Sequence, residues 1–168
     1  MLPFVGLKEG VHHFKYEIEN TFFKSYNFND FFDAKVKVEL TFDKKATLMY
    51  LNFKAVGSVE VACDVTNEYF DFPINTYYDW IIKFGDVYNN DNDEILIIPH
   101  GTYQIDVGQP IYEMVVLAVP LKIIHPGIEN GTLESEILNK LEELKPKERS
   151  ISEQEGDPRW NKLKDLLQ

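Results

Sequence analysis

Asp106, Glu113 and His125 are the side chains of this 168-residue chain that could exchange protons with a substrate as an acid–base set. Nothing in their spacing makes them converge. Glu113 falls inside a helical pattern, His125 lies beyond that pattern's end, and Asp106 stands where it would cap the helix or tie down the turn around Gly108. No nucleophile motif and no glycine-rich phosphate loop accompanies them. The single cysteine, Cys63, excludes an internal disulfide and any all-cysteine metal site within one chain. It has neither a second thiol nor an evident basic activator for thiol chemistry. His12 and His13 are neighbours on a predicted strand, where adjacent side chains point to opposite faces, so they do not share one ion. Asp91, Asn92 and Asp93 offer oxygen ligands, but the spacing is not that of a calcium-binding helical hand, and no closing acidic residue with a preceding glycine follows. A solvated acidic loop over Phe84–Asp93 is the expectation there.

The elements that must carry these residues are mostly strands. Val11–Ile18 alternates and reads as a strand. Phe22, Phe23, Tyr26, Phe28, Phe31 and Phe32 follow among polar residues, too aromatic for a linker, and predict a short helix or loop over one end of the core. Ala34–Phe42 sets Val36, Val38, Leu40 and Phe42 against Lys35, Lys37, Glu39 and Thr41, a half-buried strand. Asp43-Lys44-Lys45 turns the chain and Thr47–Val56 returns, with Gly57 expected at a bend or bulge. Ser58–Cys63 and Glu68–Tyr78 predict a further hairpin closed by Asp64–Asn67, and Ile95–Ile98 a short buried strand. Strand residues Ile105–Val107 then give way to a helix. Gly108 breaks the strand, Pro110 suits a first helical turn, and Ile111, Met114, Val115 and Ala118 fall at the period of one buried face. Pro120 ends the helix by disfavouring the α region at Val119. The run is too short to span a bilayer and is interrupted by Glu113. The predicted fold is α+β: a mostly antiparallel curved sheet or open barrel, one core helix at about residues 108–119, and a short C-terminal helix.

Aromatic residues make up 14% of the chain, with 12 Phe and 9 Tyr, a load that favours strands. The 28 acidic against 17 basic residues leave a net charge of -11, which repels phosphates and suits basic partners. Direct RNA contact is therefore disfavoured unless basic residues cluster locally, and neither DNA nor a membrane is an expected partner. The first residues lack a basic region followed by an apolar core, so no signal peptide is expected and a cytoplasmic location is.

After Pro126 the texture changes. Residues 1–126 read as one β-rich domain, and 127–168 as an acidic, partly flexible tail. Leu133, Ile137, Leu138, Leu141 and Leu144 have helical spacing, with Thr132 and Ser135 available as caps for a helix over Thr132–Leu144. Ser150–Gly156 has the composition of disorder. The chain then closes with an amphipathic helix signature: Asp157 as N-cap, Pro158 at the first helical position, and Trp160, Leu163 and Leu167 on one face. Such a helix either docks on a partner or packs back on its own domain.

The order of three patches is similar to that of the YceD family, the large-ribosomal-RNA-subunit accumulation proteins. The first is Ser58-Val59-Glu60-Val61-Ala62-Cys63-Asp64-Val65-Thr66-Asn67-Glu68-Tyr69-Phe70, which resembles a strand ending in the family's Cys-x-x-Cys turn. The second is Gln104-Ile105-Asp106-Val107 followed by Glu113, Leu117, Pro120 and His125, similar to the family's Ile-Asp-Leu and its helix ending in Leu-x-x-Pro. The third is the closing Asp157-Pro158-Arg159-Trp160 with Asn161, Lys162 and Leu163 after it. The resemblance implies a non-enzymatic, cytoplasmic factor needed for large-subunit ribosomal RNA to accumulate in bacteria and plastids. Its partner would be a ribosomal protein or a pre-ribosomal large-subunit particle. Asp157, Pro158, Arg159, Trp160 and Leu163 are the expected docking residues, and the acidic stretch between Glu129 and Glu155 would add long-range attraction.

One departure bears on metal. Many members carry a second Cys in the first patch, and some a further His and Cys after the helix, a tetrahedral zinc set. Here the corresponding positions are Cys63, Thr66, His125 and Asn130, of which only two bind zinc. No metal and no cofactor is expected, and Cys63 reads as a small buried residue at a turn. Two other classes stay open: an enzyme built on Asp106, Glu113 and His125, and a small-ligand carrier with an aromatic-lined barrel.

Overall fold

The structure, a computed structural model, describes residues 1–92 and 94–146. In chain order the elements are β1 (Leu2–Pro3), β2 (Gly10–Glu19), α1 (Asn20–Ser25), β3 (Asp33–Lys44), β4 (Leu48–Ala62), β5 (Tyr69–Gly85), β6 (Asn89–Asn92), β7 (Ile95–Pro99), β8 (Gln104–Ile105), α2 (Gly108–Ala118), α3 (Pro126–Glu129) and α4 (Glu136–Leu144). Contacts divide the chain after Leu133 into two compact units.

The first unit is α+β, built on a six-stranded sheet of order β2-β3-β4-β5-β7-β6 that does not close on itself. Strands β2 to β5 form an antiparallel meander. Alternation along β3 and β4 turns Val36, Val38, Leu40 and Phe42, and Met49, Leu51, Phe53 and Ala55, to the core face. The register aligns these rows across the sheet, Leu40 opposite Phe53 and Phe53 opposite Tyr78. Fully burying a side chain of this size contributes about 1.5–3 kcal/mol, so the rows hold the meander in one register.

Four features depart from the expectations. Strand β4 runs unbroken through Gly57 with no bulge at that position. A Cβ there would meet Lys35 O at 2.1 Å and Val36 Cα at 2.7 Å, so Gly57 serves a close approach of β3 rather than a bend. Within Phe84–Asp93, β5 extends to Gly85 and Asn89–Asn92 forms β6, antiparallel to β7. All four β6 residues are exposed, so no hydrophobic alternation announced the strand. Strand β7 inserts between β6 and β5 and runs parallel to β5. The fourth departure is at residue 127: α3 belongs to the first unit, where Gly127 O accepts from Thr132 N (2.9 Å) and Leu133 N (3.0 Å).

Helix α2 packs on β5 and buries Ile111, Met114 and Val115, while Ala118, expected on that face, is only half-buried. Helix α1 adds Phe23, fully buried in an aromatic nest with Phe28, Phe31 and Tyr112. Tyr26 stacks on Tyr112 with ring centroids 4.6 Å apart, tying α1 to α2. In the second unit, α4 begins after Ser135, whose side chain makes no capping bond. Its Ile137, Leu141 and Leu144 are exposed. Among the described residues no helix is long and apolar enough to cross a membrane.

Candidate functional site

Asp106, Gln109, Glu113 and Leu117 recur at helical spacing on the side of α2 away from its buried face. This stripe forms one wall of an open groove of about 700 Å³. The floor and far wall come from β5, β7 and the approach to β6, through Tyr78, Trp80, Leu96, Ile98 and Tyr88. The groove exists because α2 crosses β5 with Met114 toward the sheet, leaving the next residues around the helix at the rim.

The rim is acidic and held in place. Asp106 Oδ1 accepts from Gly108 N at 2.9 Å, supplying the cap that the N-cap residue Val107 cannot make. Gln109 Nε2 donates to Glu113 Oε1 at 2.5 Å, one helical turn on. Neither carboxylate has an ion-pair partner among the described residues. Their field reaches Tyr26: burial, then the charges of Asp106 and Glu113, hold its phenol above the usual value. Leu117 is 82% exposed at the groove's end, an apolar side chain with nothing over it.

A second cluster joins residues far apart in sequence. The turn after β4 is clasped to the segment after Pro120. Ile123 N donates to Asp64 Oδ2 (2.6 Å), Asp64 N to Ile123 O (2.8 Å), and His125 N to Cys63 Sγ (3.3 Å). Asn67, at φ 59° like few non-glycine residues, closes the turn by donating its N–H to Cys63 O (2.8 Å). Cys63 is buried, as expected at a turn. Burial pushes its thiol up, but the Thr66 hydroxyl and the backbone N–H groups of His125, Thr66 and Val65 outweigh that and hold it below the ordinary value. By the ordinary criteria of distance and angle the buried Thr66 Oγ1 has no hydrogen-bond partner among the described residues. His125 caps α3: its Nδ1 accepts from Gly127 N at 2.9 Å, and its ring meets Phe70 edge-on at 4.8 Å.

The structure therefore splits the residues singled out in sequence. Asp106, Glu113 and Leu117 share the groove; Cys63 and His125 share the clasp, and exposed Pro120 lies in the link between α2 and that clasp. His125 is not part of the groove wall and its Nδ1 is occupied, so the three candidate acid–base residues do not converge on one site. The clasp does not fit tetrahedral zinc, since it offers one thiolate and one imidazole with a nitrogen already engaged. Among the described residues no three of His, Cys, Asp and Glu gather into a metal set. Asp157, Pro158, Arg159, Trp160 and Leu163 lie outside the described residues. Sequence reasoning missed Trp80, Tyr88 and Gln109 as groove residues; only Gln109 carried a signal, its helical spacing between Asp106 and Glu113.

Residues 51–167 match the model of the YceD family, described as large ribosomal RNA subunit accumulation protein YceD. The chain belongs to the YceD family. The matched span runs from within β4 through both the groove and the clasp. No curated protein and no solved structure matches the chain at a significant level. Membership connects this YceD-family protein to the accumulation of large-subunit ribosomal RNA.

Proposed function

We propose that this protein is a non-enzymatic binding factor that supports large-subunit ribosomal RNA accumulation by contacting a ribosomal protein or a pre-ribosomal large-subunit particle in the cytoplasm. The family match over residues 51–167 is the observation that carries the reading. The net charge of -11 supports a basic protein partner over bare RNA. The separation of His125 from Asp106 and Glu113 supports the binding reading over an enzyme built on these three residues. From the sequence alone, the closing Asp157-Pro158-Arg159-Trp160 and Leu163 remain the proposed docking residues of the tail, Trp being the commonest interface anchor.

The test is co-sedimentation of the full chain with large-subunit precursors, with and without RNase. The expected result is association that persists after RNase, and that Trp160→Ala weakens without lowering the melting temperature. No association of the wild type with precursors in either condition overturns the reading.

A further inference from the structure

We propose that the groove between α2 and β5 is a docking site for a cationic segment of a protein partner that carries an apolar side chain. The inference rests on the binding-factor reading and assigns its contact surface and the chemistry of its partner. Among the described residues the groove walls contain no Lys, Arg or His. A surface without a cation cannot neutralise phosphate, so nucleic acid is a poor occupant. The two charged residues present, Asp106 and Glu113, are both acidic, both exposed and both without a counter-ion among the described residues.

The internal bonds use one oxygen of each carboxylate, Oδ1 toward Gly108 N and Oε1 toward Gln109 Nε2. The second oxygen of each is left for a ligand. Seven residues separate Asp106, just ahead of α2, from Glu113, midway along it. Two Lys or Arg side chains seven residues apart on a helix lying along α2 meet that spacing. The exposed ring of Tyr88 adds a face on which a cation is held. Leu117, with Met114 and Leu96 behind it, provides the apolar end where an aliphatic or aromatic side chain is desolvated. Charge and apolar surface thus alternate along one stripe, as an amphipathic basic segment requires.

The experiment uses the full chain and two fluorescent probe peptides, one composed of Lys, Leu and Ala and one of Lys, Ser and Ala. The Leu-containing probe is expected to bind more tightly, with affinity falling as salt rises. The double variant Asp106→Asn with Glu113→Gln keeps the acceptor oxygens that hold α2 and removes both charges. It is expected to weaken the Leu probe about tenfold, the worth of two exposed ion pairs together. Glu17→Gln with Glu19→Gln removes the same charge from the exposed face of β2 and is expected to change affinity by less than about twofold. Leu117→Ser is expected to abolish the advantage of the Leu probe over the Ser probe. Equal weakening by the β2 variant, which would mean diffuse attraction only, overturns the proposal, as does a Leu probe indifferent to Leu117→Ser. The same variants in the co-sedimentation assay separate the two readings. If the wild type associates with precursors and the groove variant associates equally well, the groove assignment fails while the binding-factor reading stands.

Discussion

Replacing Gly57 with alanine puts a single methyl group against the backbone of the neighbouring strand. The added Cβ would lie 2.1 Å from Lys35 O and 2.7 Å from Val36 Cα. An ordinary carbon–oxygen approach is no closer than about 3.3 Å. Both obstructing atoms are main chain, so no rotamer change relieves the overlap, and β3 must withdraw by roughly 1 Å around the Val36–Gly57 pair. That withdrawal weakens ladder hydrogen bonds worth about 1 kcal/mol each and strains a tightly packed row, for which overpacking costs about 1–3 kcal/mol. The combined loss is about 3 kcal/mol, which for a chain of this length lowers the melting temperature by roughly 6–12 °C. Circular dichroism melts of the wild type, Gly57→Ala and Gly6→Ala make the measurement. Nothing lies within 4 Å of a Cβ built on Gly6, so that variant supplies the matched control. A Gly57→Ala melt within about 2 °C of both others would show that the strands tolerate the methyl and that the close approach is not a constraint.

Val115 is fully buried beneath α2, and Val115→Asp is expected to cost about 3 kcal/mol or more and to yield aggregated or unfolded protein; a normal soluble melt would place the helix face wrongly. Because the folded clasp depresses the Cys63 thiol, its contribution to stability is fully present above the ordinary value of 9.0 and is lost as pH falls through the folded value. The stability of wild type relative to Cys63→Ala should therefore rise as pH approaches 9.0, and a flat difference in paired denaturant titrations across that window would refute the assignment. Thr66→Val removes a buried hydroxyl that has no hydrogen-bond partner of ordinary geometry among the described residues, so it is expected to leave stability level or raise it by up to about 1 kcal/mol. The same variant should shift the thiolate titration of Cys63 upward, and an unchanged titration would show that the hydroxyl does not act on the sulfur.

What could be read in the sequence follows the range of the interactions concerned. The strand at Ala34–Phe42 and the helix from Gly108 were legible because one buried face imprints its own period on consecutive residues: Ala34, Val36, Val38, Leu40 and Phe42 are buried in a row, as are Ile111, Met114 and Val115, though not Ala118. β6 was not, because a strand exposed along all four residues leaves no such imprint and forms only where the edge of β7 offers it a ladder. The parallel placement of β7 beside β5 is a choice between edges that no local pattern records. The site divides in the same way. Of its wall at α2, Asp106, Glu113 and Leu117 were singled out in sequence and Gln109 was not, and Leu117 was noted for its place in the Leu-x-x-Pro pattern rather than as a surface residue. Its exposure becomes informative once Met114 and Val115 are seen to take the core face, which leaves Leu117 aimed away from it. The opposite wall comes from upstream residues: Trp80, whose alternation in β5 reads as ordinary core, and Tyr88, in the link between β5 and β6. The Cys63–His125 contact bridges 62 residues and is made by a backbone N–H rather than by the ring, a bond to which side-chain motifs are blind. The part His125 plays in the fold is as hidden from motif reading: its Nδ1 accepts from Gly127 N as the cap of α3. A residue type read first for its chemistry is here engaged in starting a short helix, and the acids it was grouped with lie on the wall of a separate groove.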